Sequence, residues 1–183
     1  MLPDDLRRYA DAAGEIIARE FQEHPVAGAL DRVVVRWFWD GPPTYVTVHG
    51  LGLDDPAPDP FDAWSPLEWP NIAREDGRAE RIWVAPEFVA ASEGLAERFG
   101  RDEFGEVTVL EATEGEDHVP ALIEGLRGLA GRLDALGVRR TPDLAVAVCH
   151  FEGWGWEDTL PQLNDPAVLS SLSARGLPLK ELE

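Results

Sequence analysis

Cysteine, lysine and long apolar runs are what this sequence has least of. Cys149 is the only thiol in 183 residues, which excludes an intrachain disulfide and a Cys-based structural zinc site and points to a reducing compartment. Lys180 is the only lysine, and arginine raises the cations to just 16 against 35 acids, a formal net charge of −19. Nucleic-acid phosphate and anionic lipid are bound through Lys and Arg, so neither nucleic acid nor membrane is an expected partner of such a surface. No apolar stretch approaches the ~20 residues of a membrane-spanning helix, and Met1–Arg8 has no basic start followed by an apolar run. The expectation is a soluble, cytoplasmic protein.

What is present is a core. The chain is 44% hydrophobic with seven tryptophans, and a chain this long buries roughly 70% of the surface it exposes when unfolded. A single domain over 1–183 is expected, since no repeat, low-complexity tract or linker interrupts it. The charge exceeds the magnitude of roughly 2 to 8 that keeps a small domain soluble, so a cationic partner or a salty solvent is the fuller reason. The distribution favours a partner. Seven acids and no base lie between Asp102 and Asp117, and five acids and no base between Thr141 and Ala174, a patchy arrangement and not a uniform coat.

Periodicity organises the chain. Leu6, Tyr9, Ala13, Ile16, Ile17, Glu20 and Phe21 follow the 3.6-residue spacing of an amphipathic helix over Asp4–Glu23. The β-branched and aromatic Arg32–Trp39 run, the turn at Asp40–Pro43 and the Thr44–His49 run predict an antiparallel hairpin. Residues 51–63 form an acidic, proline-rich loop. After it, Ser65, Pro66 and Glu68 have the spacing of a capping box at a short helix. Further helices are expected over Pro86–Phe99, His118–Leu136 and Asp165–Ser173, each closed by a glycine, with short strands at Arg81–Val84 and Glu106–Leu110. The apolar run Asp143–Phe151 reads as a central strand buried on both faces. The order predicts an α+β fold: a mainly antiparallel sheet with an early hairpin and about four packed helices.

No self-sufficient catalytic motif appears. A nucleophilic Cys149 needs a base within hydrogen-bond reach; His150 adjoins it but successive strand residues face opposite ways, which leaves His49. A metal set drawn from His150, Glu152 and Asp158, or from the aspartates near Asp54, has no ligand spacing, and the paired glycines at Gly50-Gly52 and Gly153-Gly155 lack a nucleotide-binding pattern. No catalytic residue, metal or cofactor is expected. The segment Gly153-Trp154-Gly155-Trp156-Glu157-Asp158 is different, because paired indoles, glycines and carboxylates coincide on an expected loop. Trp154, Trp156, Glu157 and Asp158 are the expected partner contacts, with Asp54 and Asp55 as a second contact.

Trp64-Ser65-Pro66-Leu67-Glu68-Trp69 resembles the W-S-x-x-E-W element of a bacterial domain family of unknown function found among predicted immunity proteins of polymorphic toxin systems. The preceding hairpin, the leucine-rich helix ending at Leu136-Gly137 and the asparagine closing Leu160-Pro161-Gln162-Leu163-Asn164 resemble that family too. The resemblance implies a non-enzymatic intracellular inhibitor that holds a basic protein partner, its cognate toxin. Two other readings stay open: a small hydrolase-like enzyme using His49, Cys149 or His150, and an acidic globular protein without a specialised site. Salt separates partner binding from solvent adaptation. The free protein should be folded in dilute buffer, and complex formation should slow and weaken as the Debye length falls from ~10 Å at 0.1 M to ~3 Å at 1 M. Circular dichroism showing an unfolded chain below molar salt would favour solvent adaptation instead.

Overall fold

The computed structural model describes residues 2–37, 43, 45–69, 85–107 and 118–180. Helix α1 (Asp4–Glu23) presents Leu6, Tyr9, Ala13, Ile17 and Phe21 to the interior, as the spacing requires. Asp4 and Asp5 in its first turn complement the positive end of the helix dipole. The hairpin follows as β1 (Leu30–Trp37) and β2 (Val46–Gly52), antiparallel with Trp37 opposite Val46 and Val34 opposite His49.

Among the described residues four α-helical segments lead to the third strand: α2 (Pro86–Glu93), α3 (Ala96–Phe99), α4 (Val119–Arg127) and α5 (Leu129–Ala135). Two expected helices are therefore each divided. Gly128 separates α4 from α5, and Gly94-Leu95 separates α2 from α3, where glycine weakens the helix interior. Strand β3 (Arg140–His150) then pairs with β1, Val33 opposite Val146 and Trp37 opposite His150. This pair is parallel, so the sheet is mixed, in the order β2-β1-β3. The long helical connection between β2 and β3 makes the parallel return possible, where a short turn could give only an antiparallel neighbour. The fold is α+β as expected, with one parallel pair where an antiparallel arrangement was read.

Alternation along the strands divides the core in two. Val33, Val35, Val46, Val48, Val146 and Val148 face α1, α2, α4 and α5. The α1–α4 contact is close because Gly14 and Gly125 have no side chains: a Cβ on Gly125 would strike the Ala10 carbonyl. Val34, Leu51, Ala145, Ala147 and Cys149 face the other way, toward the two tryptophans of the W-S-P-L-E-W segment. Both indoles are buried as core. Trp64 Nε1 donates to the Pro178 carbonyl (2.7 Å) and Trp69 Nε1 to the Asp62 carbonyl (3.1 Å). The segment is a single 3-10 turn, Pro66–Glu68, and the Ser65 side chain caps nothing. The capping box is thus absent: the Glu68 N–H donates to the Ser65 backbone carbonyl at 3.0 Å and not to its hydroxyl. The expected strand at Arg81–Val84, the residues after Val107 in the expected strand at Glu106–Leu110, and Trp39 lie outside the described residues; Val107 itself makes an isolated bridge to Arg101.

Helix α6 (Trp156–Leu163) went unread in the sequence, hidden by flanking glycines and an internal proline, and α7 (Pro166–Ala174) follows it. Between them they cover β3. The strand was expected to be central, and its two faces are indeed buried, but among the described residues it has a strand neighbour only at β1. Side chains take the place of the missing neighbour. Asn164 accepts the Val146 N–H at 2.8 Å and returns a hydrogen bond to the Val146 carbonyl at 2.6 Å. Thr159 does the same for Val148, accepting its N–H at 2.9 Å and donating to its carbonyl at 2.7 Å. An exposed row of edge amides invites pairing with another chain, and these two residues close it. At the far end, buried Asp31 receives both Nη atoms of Arg175 (3.0 and 2.6 Å), fastening the end of α7 to β1.

Asn164→Leu should therefore cost about 1–3 kcal/mol, the desolvation of edge groups left unpaired. At ~2–4 °C per kcal/mol for a chain of this size, that is a clear fall in Tm. An unchanged melting curve would mean that the edge does not depend on this pairing.

Candidate functional site

The carboxyl ends of the parallel strands β1 and β3 lie together, and the turn after β3 is built there. Phe151 N–H donates to the Trp37 carbonyl (2.9 Å), Gly153 N–H to the His150 carbonyl (2.8 Å) and His150 N–H to the Trp154 carbonyl (2.9 Å). Gly153 and Gly155 have φ of 96° and 82°, a region glycine enters without the steric cost of a Cβ. The turn leaves Trp154 51% exposed. One face of its indole stacks on the buried His150 ring at 4.3 Å, and Nε1 donates to the Glu152 carboxylate at 3.3 Å. The exposed ring is held in place from below.

That support runs inward ring by ring. His150 meets Trp37 at 5.4 Å, Trp37 meets His118 at 5.9 Å, His118 meets Tyr9 at 5.8 Å and Tyr9 meets Phe88 at 5.3 Å. Tyr9 anchors the column by donating to the Pro43 carbonyl (2.7 Å). His118 is buried at the N-terminus of α4, and among the described residues neither ring nitrogen has a hydrogen-bond partner. Burial holds its pKa down at about 4, so the ring is neutral at pH 7.

The expected partner contacts separate. Trp154 is on the surface, and Asp158 is exposed in the first turn of α6. Glu157 is half-buried, and its Oε2 has no hydrogen-bond partner among the described residues. Trp156, read as a loop residue, is instead the first residue of α6: it is buried and stacks on Trp64 at 5.7 Å. One intervening residue turns the second indole from surface to core. Asp54 and Asp55 are at the other end of the sheet, after β2. The length of β1 separates them from Trp154, roughly 20 Å at 3.3 Å per residue. Asp55 is buried and accepts the Gly52 N–H at 2.9 Å, while Asp54 is exposed beside Gly28. The pair is thus no extension of the Trp154 surface. In the acidic stretch Asp102–Asp117, the described part is a narrow turn carrying an exposed Phe104 between the exposed Glu103 and Glu106, and 108–117 lie outside the described residues.

The three residues of the enzymatic reading do not converge. Cys149 faces the Trp64 layer and His150 faces the opposite layer with Trp37. His49 shares the face of Cys149 but lies on β2, with β1 between them. The Cys149 thiol is buried and its pKa is pushed up to about 12 by that burial, a shift that Arg36 partly opposes, so the nucleophilic thiolate is scarce at neutral pH. Among the described residues no group of three or more His, Cys, Asp or Glu could hold a metal ion, and no helix is long and apolar enough to cross a membrane. Two buried residues at this end of the sheet were missed in the sequence: His118, and Arg36 in β1. Arg36 was legible as a polar residue in a strand whose apolar residues required burial. Compared with known proteins, the chain matches no family model, no curated protein and no solved structure.

The depressed His118 pKa has a defined sign. Between about pH 6.5, the ordinary value, and pH 4 the unfolded chain binds a proton that the folded chain refuses, so stability is full above that window and falls as pH drops through it. The loss reaches about 3 kcal/mol by the linkage relation. Urea titrations across this range should show His118→Leu losing less stability than wild type by that amount; parallel pH profiles would contradict the burial.

Proposed function

We propose that this chain is a non-enzymatic interaction protein, an immunity-type inhibitor that holds a basic protein such as a cognate toxin inside the cell. The observation that carries this reading is Trp154: a large aromatic half in solvent, fixed by stacking on a buried ring, with Glu152, Glu157 and Asp158 on the adjoining turn and helix. Rigid aromatic anchors lose little entropy when a partner covers them and are enriched among the residues that dominate binding energy. The surrounding carboxylates supply what a cationic partner needs for fast encounter. A net charge of −19 steers such a partner from a distance and repels nucleic acid that would compete for it.

Within this reading the W-S-P-L-E-W segment acts as scaffold. Its tryptophans are interior, and Trp64 receives the stacked Trp156 that starts α6 and so sets the turn displaying Trp154. Partner choice then falls to the turn. Replacing both indoles of the Gly-Trp-Gly-Trp segment would confuse binding with folding, because truncating a buried Trp costs about 3–5 kcal/mol. Trp154 alone is the informative change.

The test is affinity capture and calorimetry against the product of the gene neighbouring the chain's own. Trp154→Ala should keep the wild-type Tm and weaken Kd by about 30-fold, the loss expected of an anchor, mostly through the off-rate. Asp158→Asn should chiefly slow association. Full affinity in the folded Trp154→Ala variant would place the interface elsewhere, and a neighbouring product that is not basic and does not bind would remove the inhibitor reading.

A further inference from the structure

Two arginines stand four residues apart on one face of β1, and their surroundings differ. Arg32 is buried with a counter-charge: its Nε is 3.4 Å from Asp31, Nη1 donates to the Ala63 carbonyl at 3.0 Å, and the guanidinium lies 5.8 Å from the Trp69 ring. Arg36 is only 7% exposed, and its Nη2 donates to the Phe151 carbonyl. No carboxylate pairs with it among the described residues, in a chain that has 35. Its strand neighbours in register are Thr47 on β2 and Cys149 on β3. Cys149 does not neutralise it, because a thiol whose pKa is about 12 carries no charge at neutral pH. A guanidinium is always protonated in proteins. A buried cation without a counter-charge costs several kcal/mol unless something supplies one.

We propose that Arg36 is the recognition residue of a small-oxyanion site, one that takes a phosphate or carboxylate group at the carboxyl end of the parallel β1–β3 pair. The planar fork of a guanidinium matches two oxygens of such a group. Nη2 belongs to both forks of the guanidinium, one shared with Nε and one with Nη1, and with one of its hydrogens turned to Phe151 the other fork is the part left for a ligand. Thr47 and His49 lie on the same face, joined by a 3.1 Å hydrogen bond between Nε2 and Oγ1, and Thr47 brings a hydroxyl to the row that contains Arg36. The carboxyl ends of parallel strands are also where open α/β sheets bind ligands. The other group of arginines, Arg7, Arg127 and Arg132 around a cleft of about 900 Å³, lacks this character, since each is ion-paired with Asp4, Glu124 or Asp11.

The experiment compares wild type with Arg36→Met and Arg36→Lys in chloride buffer, adding inorganic phosphate in one arm and acetate in another. Sodium chloride at matched ionic strength is the control. Working at about 5 mM avoids the general stabilisation that phosphate gives by exclusion at high concentration. The anion that fits should raise the wild-type Tm by about 3 °C over chloride. Arg36→Met should show no such rise, and Arg36→Lys, which keeps the charge and loses the fork, should bind at least about 10-fold more weakly. A response in the phosphate arm alone assigns a phosphate group, and one in the acetate arm alone a carboxylate. Because a core substitution can disturb folding, the Arg36 Nε–H resonance of the wild-type protein is followed by NMR through the same titrations and should move with the anion that stabilises. A Tm rise no larger than that of chloride, a rise that persists in folded Arg36→Met, or an unmoved Arg36 resonance would overturn the proposal.

Discussion

The pairing of Thr159 and Asn164 with the outer edge of β3 is the constraint on which the rest of this end of the molecule depends. Each side chain satisfies both the donor and the acceptor of one strand residue, so α6 is held at a fixed position along the edge, where a second strand would otherwise lie. That position brings Trp156 into the layer beside Trp64 and leaves only five residues, 151–155, to pass from strand to helix. A connection so short must turn sharply, and the two left-handed glycines let it. Trp154, between them, has no route inward and stands in solvent over His150.

Charge follows a similar economy of position. Most carboxylates are kept outside, where they act at long range and contribute little individually to stability. Among the described residues the exceptions are Glu20, Asp31 and Asp55, and the two aspartates are matched by donors. Asp31 is enclosed by Arg175 and Arg32, and Asp55 takes the Gly52 amide. Removing one partner of the Asp31 pair would leave a buried charge unmatched, a far larger penalty than the loss of any surface pair. Arg36 departs from this pattern, with a backbone carbonyl as its acceptor and no carboxylate among the described residues.

Tryptophan serves two purposes that composition cannot separate. Trp64, Trp69 and Trp156 form the interior of the layer opposite α1, and the indole N–H groups of Trp64 and Trp69 reach backbone carbonyls. Trp154 is the counterpart on the outside. Its neighbours are chemically those of a recognition surface, an aromatic face with acidic groups around it, and its rigidity comes from the ring column that descends through His150, Trp37 and His118 to Tyr9.

Much of this was determined by sequence alone. Helical periodicity over Asp4–Glu23, the antiparallel pairing of the runs on either side of Asp40–Pro43, the apolar β3 run and the glycine stops after α5 and α7 are signals carried by neighbouring residues, and the backbone obeys them because they act within a turn or two of chain. The interior placement of Trp64 and Trp69 was legible for the same reason: an aromatic on either side of a short proline-rich turn has little choice but to pack. Other features needed the tertiary structure. The parallel partnership of β1 with β3 joins residues more than a hundred positions apart, and no local pattern encodes the direction of such a pairing. Whether Trp154 or Trp156 is the exposed indole depends on where α6 starts, which its contacts with the β3 edge decide. Arg32 and Arg36 look alike in a strand. Only the folded chain shows that Asp31 and Ala63 come to the first, while the second is left with the Phe151 carbonyl, because a counter-charge is set by proximity in space and sequence spacing within one strand says nothing about what the other layer brings.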